Sequence, residues 1–219
     1  MKPKKYAYIG IAAAAGIAVV MIIFTQFNMG PTTQSASTGI DAYTLDFTYE
    51  TVNSDLKNTL DTQNINMSKP LRFNTVDDIT QYCDFLSNKT KQAMIQYCTS
   101  TEIRDEHANF LGNLDMIGSN LAPVLVIAAA QSDPLFHNYD DVKTLFGDVV
   151  NETVCQCWAT EKPGNYTSLS GMMDALRTFH LNGKEPNSTT RSIPLSGKLF
   201  EIELTTTTQG YTWKLLVAK

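Results

Sequence analysis

The chain has 219 residues, a mass of 24.3 kDa, 22 acidic against 17 basic side chains, a formal net charge of −5 and four cysteines. That length fits one domain with an appendage, or two very small domains, and 43% hydrophobic with 10% aromatic residues argues against disorder. The acidic balance argues against nucleic acid as a partner, because phosphate contacts need a basic face that displaces counterions.

Lys2, Lys4 and Lys5 precede an uncharged stretch, Tyr6 to Phe27, whose centre runs from Ile9 to Phe24 in Ile, Gly, Ala, Val, Met and Phe alone. A bilayer core takes about 20 helical residues to cross, so residues 6–27 are expected to form a transmembrane signal anchor. The lysines before the span, with no basic residue after it until Lys57, put residues 1–5 in the cytoplasm and the remainder outside. Tyr6, Tyr8 and Phe27 then fall where membrane interfaces favour aromatic rings. A cleaved secretory signal is the competing reading, but it has an apolar run of about 7–15 residues with small residues close behind. Here the best cleavage site, Ser35-Ala36-Ser37, lies well past Phe24, and the first cysteine, Cys83, is too distant for a lipoprotein site. Ala12 and Gly16 form a small-xxx-small step of the kind that lets two such helices meet.

Residues 28–39 are small, polar and uncharged, as suits a flexible linker, and residues 40–219 are left as the extracytoplasmic domain. Setting Lys2, Lys4 and Lys5 aside from the 17 basic residues leaves 14 against 22 acidic ones, a net charge of −8 outside the membrane. Such a domain is disfavoured at anionic surfaces and compatible with cations and basic partners.

Along the domain, Tyr43, Leu45, Phe47 and Tyr49 alternate with Thr44, Asp46, Thr48 and Glu50, which predicts a half-buried strand over 43–50. Thr75-Val76-Asp77-Asp78 resembles a capping box opening a helix through Ile79, Tyr82, Cys83 and Leu86. Helical spacing predicts a second helix over 89–99, burying Ala93, Met94, Ile95 and Cys98, and a third carrying Ile103, Phe110, Leu111, Leu114 and Ile117. Ser119 and Asn120 are placed to cap a fourth, with Pro123 in its first turn and Asp133-Pro134 closing it. Its segment Leu121–Ala130 is apolar on every side and too short to span a membrane, which reads as a buried core helix. Two more helices follow. Asp140–Trp158 has its stripe on Val142, Leu145, Phe146, Val149, Val150, Val154, Cys157 and Trp158. Ser168–Asn182 has Leu169, Met172, Met173, Leu176 and Phe179 inside, with Gly183 as a left-handed stop. The end changes period: Phe200, Ile202 and Leu204, then Tyr211, Trp213, Leu215 and Val217, alternate about Thr205–Gly210 and predict a hairpin. The expected fold is α+β, a mostly helical domain with a small antiparallel sheet made of the 43–50 strand and the C-terminal hairpin.

Cys83, Cys98, Cys155 and Cys157 all fall outside the expected anchor, where disulfides persist, and an even number favours two bridges. A Cys155–Cys157 bond closes a tiny ring, so the favoured arrangement ties the Cys83/Cys98 helices to the Cys155-Gln156-Cys157 segment, at roughly 3–4 kcal/mol per bridge. Two alternatives use the same Cys-x-Cys: a soft-metal site, with Met172, Met173 or His180 as further donors, or a redox pair. Of the three histidines, His107 sits in a solvated Asp105-Glu106-His107 run, His137 near acids that complement a helix start, and His180 in a last helical turn. Ser54 and Lys57 match Ser-x-x-Lys without the companion motifs of that enzyme class, and no P-loop, Gly-x-Gly-x-x-Gly or Gly-x-Ser-x-Gly is present. Five sequons, at Asn66, Asn88, Asn151, Asn165 and Asn187, predict solvent exposure at each if the host glycosylates.

The sequence therefore points to a single-pass, membrane-anchored extracytoplasmic binding or interaction module of the cell envelope, a subunit of a membrane assembly. Its partners are the membrane, through residues 6–27, and an envelope protein; no cofactor and no catalytic residue is assigned. The alternative function is metal binding or thiol redox chemistry at Cys155 and Cys157, and an enzyme is the third.

Overall fold

Side-chain alternation with a period of two, running through the middle and end of the chain, makes sheet rather than helix the frame of the domain. The computed structural model describes residues 39–219, so the expected anchor at 6–27 and nearly all of the expected linker lie outside the described residues. Nine strands form one antiparallel sheet: β1 (Asn66–Met67), β2 (Leu71–Phe73), β3 (Tyr97–Arg104), β4 (Phe110–Gly118), β5 (Pro123–Ser132), β6 (Asn187–Thr189), β7 (Ile193–Leu195), β8 (Lys198–Thr207) and β9 (Gly210–Ala218). Their order is β1-β3-β4-β5-β9-β8-β6, with β2 beside β1 along β3 and β7 beside β6 along β8. Both edges therefore end in strands of two or three residues, which leaves little open ladder for another chain to extend. Among the described residues no helix is long and apolar enough to cross a membrane.

This overturns the expected mostly helical domain with a small sheet. The spans expected as helices over 89–99, 103–117 and 119–130 are largely strands β3, β4 and β5, and helix from 89 stops at Gln92. The physical reason is clearest at β5, the middle of the seven positions across the sheet. Val126, Ala128 and Ala130 enter the core on one face, while Leu125 and Ile127 enter a second core on the other. A strand covered on both sides reads as an unbroken apolar run, which looks the same as a buried helix. In β4 the register shift opposite Ile103/Arg104 puts Leu111 in the same core as Leu114, three residues on, and Ile117, buried on the other face, completes a misleading helical spacing.

The expected strand over 43–50 is also overturned. Ile40–Tyr43 make one 3₁₀ turn, a short extended link follows, and helix α1 (Tyr49–Asp61) starts at the Thr48 cap, whose Oγ1 accepts from the Thr51 amide at 3.2 Å. Tyr49, Val52, Leu56 and Leu60 recur on its buried face, a helical period that the preceding alternation hides. Elsewhere the local signals hold in part: Phe179, expected inside its helix, is 65% exposed and His180 takes a buried position instead, and the single helix expected over Asp140–Trp158 breaks in two. Thr75 caps α2 (Val76–Tyr82), and Asn88 caps the single turn α3 (Lys89–Gln92). The long helix after Asn138, α4 (Tyr139–Thr153), stops before Cys155, and Trp158–Glu161 forms a separate turn, α5. Helix α6 (Leu169–Gly183) is closed by Lys184 in the left-handed conformation, one residue beyond the expected glycine stop.

The sheet has two unlike faces. Helices α1, α4 and α6 cover one completely, over Ile103, Leu114, Met116, Val126, Ala128, Phe200, Ile202, Leu204, Trp213 and Leu215. Tyr139 of α4 stacks on Trp213 with ring centres 5.1 Å apart. The other face is apolar only along one end. There Ile40, Ile79, Leu86 and Ile95 pack on Ile117, Leu125, Ile127, Leu216 and Ala218, and a disulfide joins Cys83, after α2, to Cys98 of β3.

Two glycines separate backbone crowding from helix propensity. A Cβ on Gly112, in β4, would lie 2.0 Å from the Ala129 carbonyl oxygen, whereas one on Gly147, inside α4, would meet nothing within 4 Å. Gly112→Ala is therefore expected to cost about 3 kcal/mol through forced strand separation, and Gly147→Ala to stabilise by about 0.5–1 kcal/mol. Urea unfolding of the two variants checks both signs.

Candidate functional site

The remaining part of the second face is polar, and register shows how its residues line up. One row across the sheet reads Ser100, Asp115, Ile127, Leu216, Glu201; the next reads Glu102, Asn113, Ala129, Lys214, Glu203, Thr189. Two pairs of carboxylates thus flank a central strip: Glu102 and Asp115 on β3 and β4, and Glu201 and Glu203 on β8. Three strand spacings of about 4.8 Å separate Asp115 from Glu201, so the pairs are distinct neighbourhoods.

Strand β8 places its carboxylates by strict alternation. Phe200, Ile202 and Leu204 are fully buried under the helices, which forces Glu201 and Glu203 onto the opposite face. They do not reach free solvent there: Glu201 is 1% exposed and Glu203 6%. The Thr189 hydroxyl donates to Glu201 Oε1 at 2.7 Å, while Glu201 Oε2 and Glu203 Oε1 are sealed from water and accept no hydrogen bond among the described residues. Burial raises both carboxyl groups above the ordinary glutamate range; for Glu201 the Thr189 bond opposes it, and for Glu203 the Lys214 charge opposes it while Glu201 adds to it. Lys214 stands opposite Glu203 in the ladder, and its charge acts on that carboxyl.

Asp115 has a different environment. Burial pushes its carboxyl up to about 6, and a hydrogen bond from Ser100 works the other way. No base stands opposite it in its own row, where the β5 neighbour is Ile127.

The residues singled out in the sequence fall elsewhere. All four cysteines are bridged, but as Cys83–Cys98 and Cys155–Cys157, so the pairing expected last is the one present and no bond ties the Cys83/Cys98 region to the Cys-x-Cys. Topology explains this: Cys98 lies on the second face of the sheet and Cys155 and Cys157 pack against the core on the first. In the chain-entropy model the first bridge stabilises by about 3 kcal/mol and the second by about half of that.

With both sulfurs bonded, Cys155 and Cys157 offer no thiolate to a metal. Met172 and Met173 are buried in the main core, and the ring nitrogens of His180 face the Ser188 hydroxyl at 2.9 Å and the Thr206 hydroxyl at 2.7 Å. That arrangement ties α6 to β6 and β8 and has no carboxylate behind the imidazole. No group of three or more His, Cys, Asp or Glu converges on a metal position among the described residues. His107 lies in the β3–β4 turn, where Asp105 accepts from the His107 and Asn109 amides, and His137 pairs with Asp133 at 3.2 Å. Lys57 donates to the Met67 carbonyl and pairs with Asp61. The sequon asparagines 66, 88, 151, 165 and 187 are all exposed.

Sequence reasoning passed over Glu201 and Glu203. The signal was available in the string Phe200-Glu201-Ile202-Glu203-Leu204, where carboxylates alternate with core residues on a strand, but it acquires meaning only once β9 and β6 flank them.

Because the folded-state value of Asp115, about 6, lies above the unfolded value near 3.8, the folded protein holds the extra proton between these pH values. Stability therefore falls as pH rises through that window, and the full penalty is present above pH 6. Asp115→Asn keeps the shape without the charge and is expected to stabilise by about 2–3 kcal/mol at pH 7.5 and by almost nothing at pH 4. Urea unfolding at both pH values measures it.

Comparison with protein-family models finds no match, and comparisons with curated proteins and with solved structures find none either.

Proposed function

We propose that this protein is a binding module, anchored by residues 6–27 with residues 40–219 outside the membrane, whose β8 carboxylates receive one cationic side chain from a basic segment of a partner protein, with the groups over Glu201 and Glu203 moving aside, since neither carboxylate is open to solvent in this structure. One observation carries the proposal: two carboxylate oxygens, Glu201 Oε2 and Glu203 Oε1, are buried and accept no hydrogen bond among the described residues. A buried carboxylate without a partner costs several kcal/mol unless a proton or a cation compensates it.

The chemistry of the donors selects the class of cation. A hard divalent ion such as Ca²⁺ takes 6–8 oxygen ligands, more than two glutamates and the Thr189 hydroxyl supply. A lysine ammonium has three protons to donate and an arginine guanidinium can bridge two carboxylates, so either one has donors enough for both unpaired oxygens. The excess of 22 acidic over 14 basic residues in residues 28–219 favours approach of a basic segment over an acidic one. The five exposed sequon asparagines and the two disulfides suit an exported domain.

Cation binding requires ionised carboxylates, so it competes with protonation, which burial favours at Glu201 and Glu203. Affinity is therefore expected to weaken as pH falls through their raised range, with protons released on binding. Calorimetric titration of the full-length protein with a lysine-rich peptide, in two buffers of different ionisation enthalpy, reads both effects. Glu201→Gln with Glu203→Gln is expected to weaken binding at least ten-fold and to abolish the buffer dependence, with an acidic peptide inert throughout. Unchanged affinity in the double variant contradicts the proposal.

A further inference from the structure

The two disulfides are built for different work. Cys83 and Cys98 are both 0% exposed and join separate elements across the second core. Cys155 and Cys157 are partly exposed, flank the exposed Gln156, and join nothing that the chain does not already hold together. A bridge spanning one intervening residue restricts the unfolded chain less than the Cys83–Cys98 bridge does.

Its neighbours hold the segment without it. Val154 and Trp158, one on each side, are buried in the main core. The Cys155 amide donates to the Val150 carbonyl at 3.1 Å, and the Cys157 carbonyl accepts from the Thr160 and Glu161 amides, each at 3.0 Å. The Trp158 indole donates to the Tyr166 carbonyl at 3.1 Å and its ring lies 5.4 Å from that of Phe200. Opening the bridge therefore leaves both sulfurs where they are, facing each other across one residue and ready to close again. A disulfide that is reachable, contributes the smaller share of stability and is flanked by contacts that do not depend on it has the properties of a redox-labile bond rather than a structural one.

We propose that Cys155–Cys157 is a thiol–disulfide exchange site that accepts two electrons from a protein dithiol. A thiolate of the dithiol attacks one bridge sulfur. The Cys155–Cys157 bond breaks, a mixed disulfide forms, and the displaced sulfur leaves as a thiolate that takes up a proton. The second thiolate of the dithiol then attacks its own sulfur in the mixed disulfide and releases the other cysteine. The dithiol ends as a disulfide, Cys155 and Cys157 end as thiols, and two electrons and two protons have moved. The site is separate from the β8 carboxylates, and the exchange does not depend on them.

The test uses the full-length protein in detergent micelles. It is exposed to dithiothreitol for increasing times, alkylated, and mapped by mass spectrometry alongside circular dichroism. Cys155 and Cys157 are expected to become labelled at least a hundred-fold faster than Cys83 and Cys98, with the folded spectrum unchanged. Incubation with a dithiol peptide is expected to yield one oxidised peptide per protein, and a monothiol peptide to accumulate as a mixed disulfide on Cys155 or Cys157. Labelling of all four cysteines together as the protein unfolds overturns the proposal, and so does a bridge that dithiothreitol opens while the dithiol peptide stays reduced.

Discussion

A strand with both faces covered has no free side, and β8 meets that constraint with carboxylates. Phe200, Ile202 and Leu204 complete the core beneath the three long helices, so Glu201 and Glu203 are committed to the opposite face by a period of two that no rotamer changes. Sliding β8 by one residue against β9 would drive the carboxylates into the helical core and Phe200 into the polar row. The main core thus locks the acidic row in register, and the energetic cost of the row is borne by the packing of Phe200, Trp213 and their neighbours.

The second face divides along the same logic. At one end, chain segments crossing from Ile40 and from α2 to Ile95 seal Leu125, Ile127 and Leu216, and the Cys83–Cys98 bridge keeps that cover in place. Beyond it the rows turn polar within two residues on β4, β9 and β8: Ile117 gives way to Asp115, Leu216 to Lys214 and Leu199 to Glu201. A polar row thus lies beside an apolar one on a single sheet face, and both are built on strands rather than on loops. His180, held between Ser188 and Thr206, fixes α6 to the same edge of the sheet from below.

Local signals in the sequence were accurate where capping or simple alternation governs: Thr75 before α2, the apolar stripe of α4, and the β8–β9 hairpin. They failed where tertiary burial overrides period. Leu121–Ala130 reads the same as a core helix and as a doubly covered central strand, and only pairing with β4 and β9 decides between them. Tyr43–Glu50 alternates like a strand, yet the Thr48 cap and the buried Tyr49, Val52 and Leu56 make its end the start of α1. The cysteine pairing was hidden for the same reason, since which cysteines share a face follows from the sheet, which was read as helices. Glu201 and Glu203 were visible as an alternation, but a charged residue on a strand normally marks the solvent side, and nothing short of the assembled face shows them to be buried.

The account rests on the state of two carboxyl groups. The most direct measurement is a carbon-13 NMR titration of the Glu201 and Glu203 side-chain carboxyls in the full-length protein, assigned with the single Gln variants. The account predicts that both titrate above the ordinary glutamate range in the free protein and move downward when a lysine-rich peptide saturates it. Titration at ordinary glutamate values in the free protein, or no movement at saturation, contradicts it.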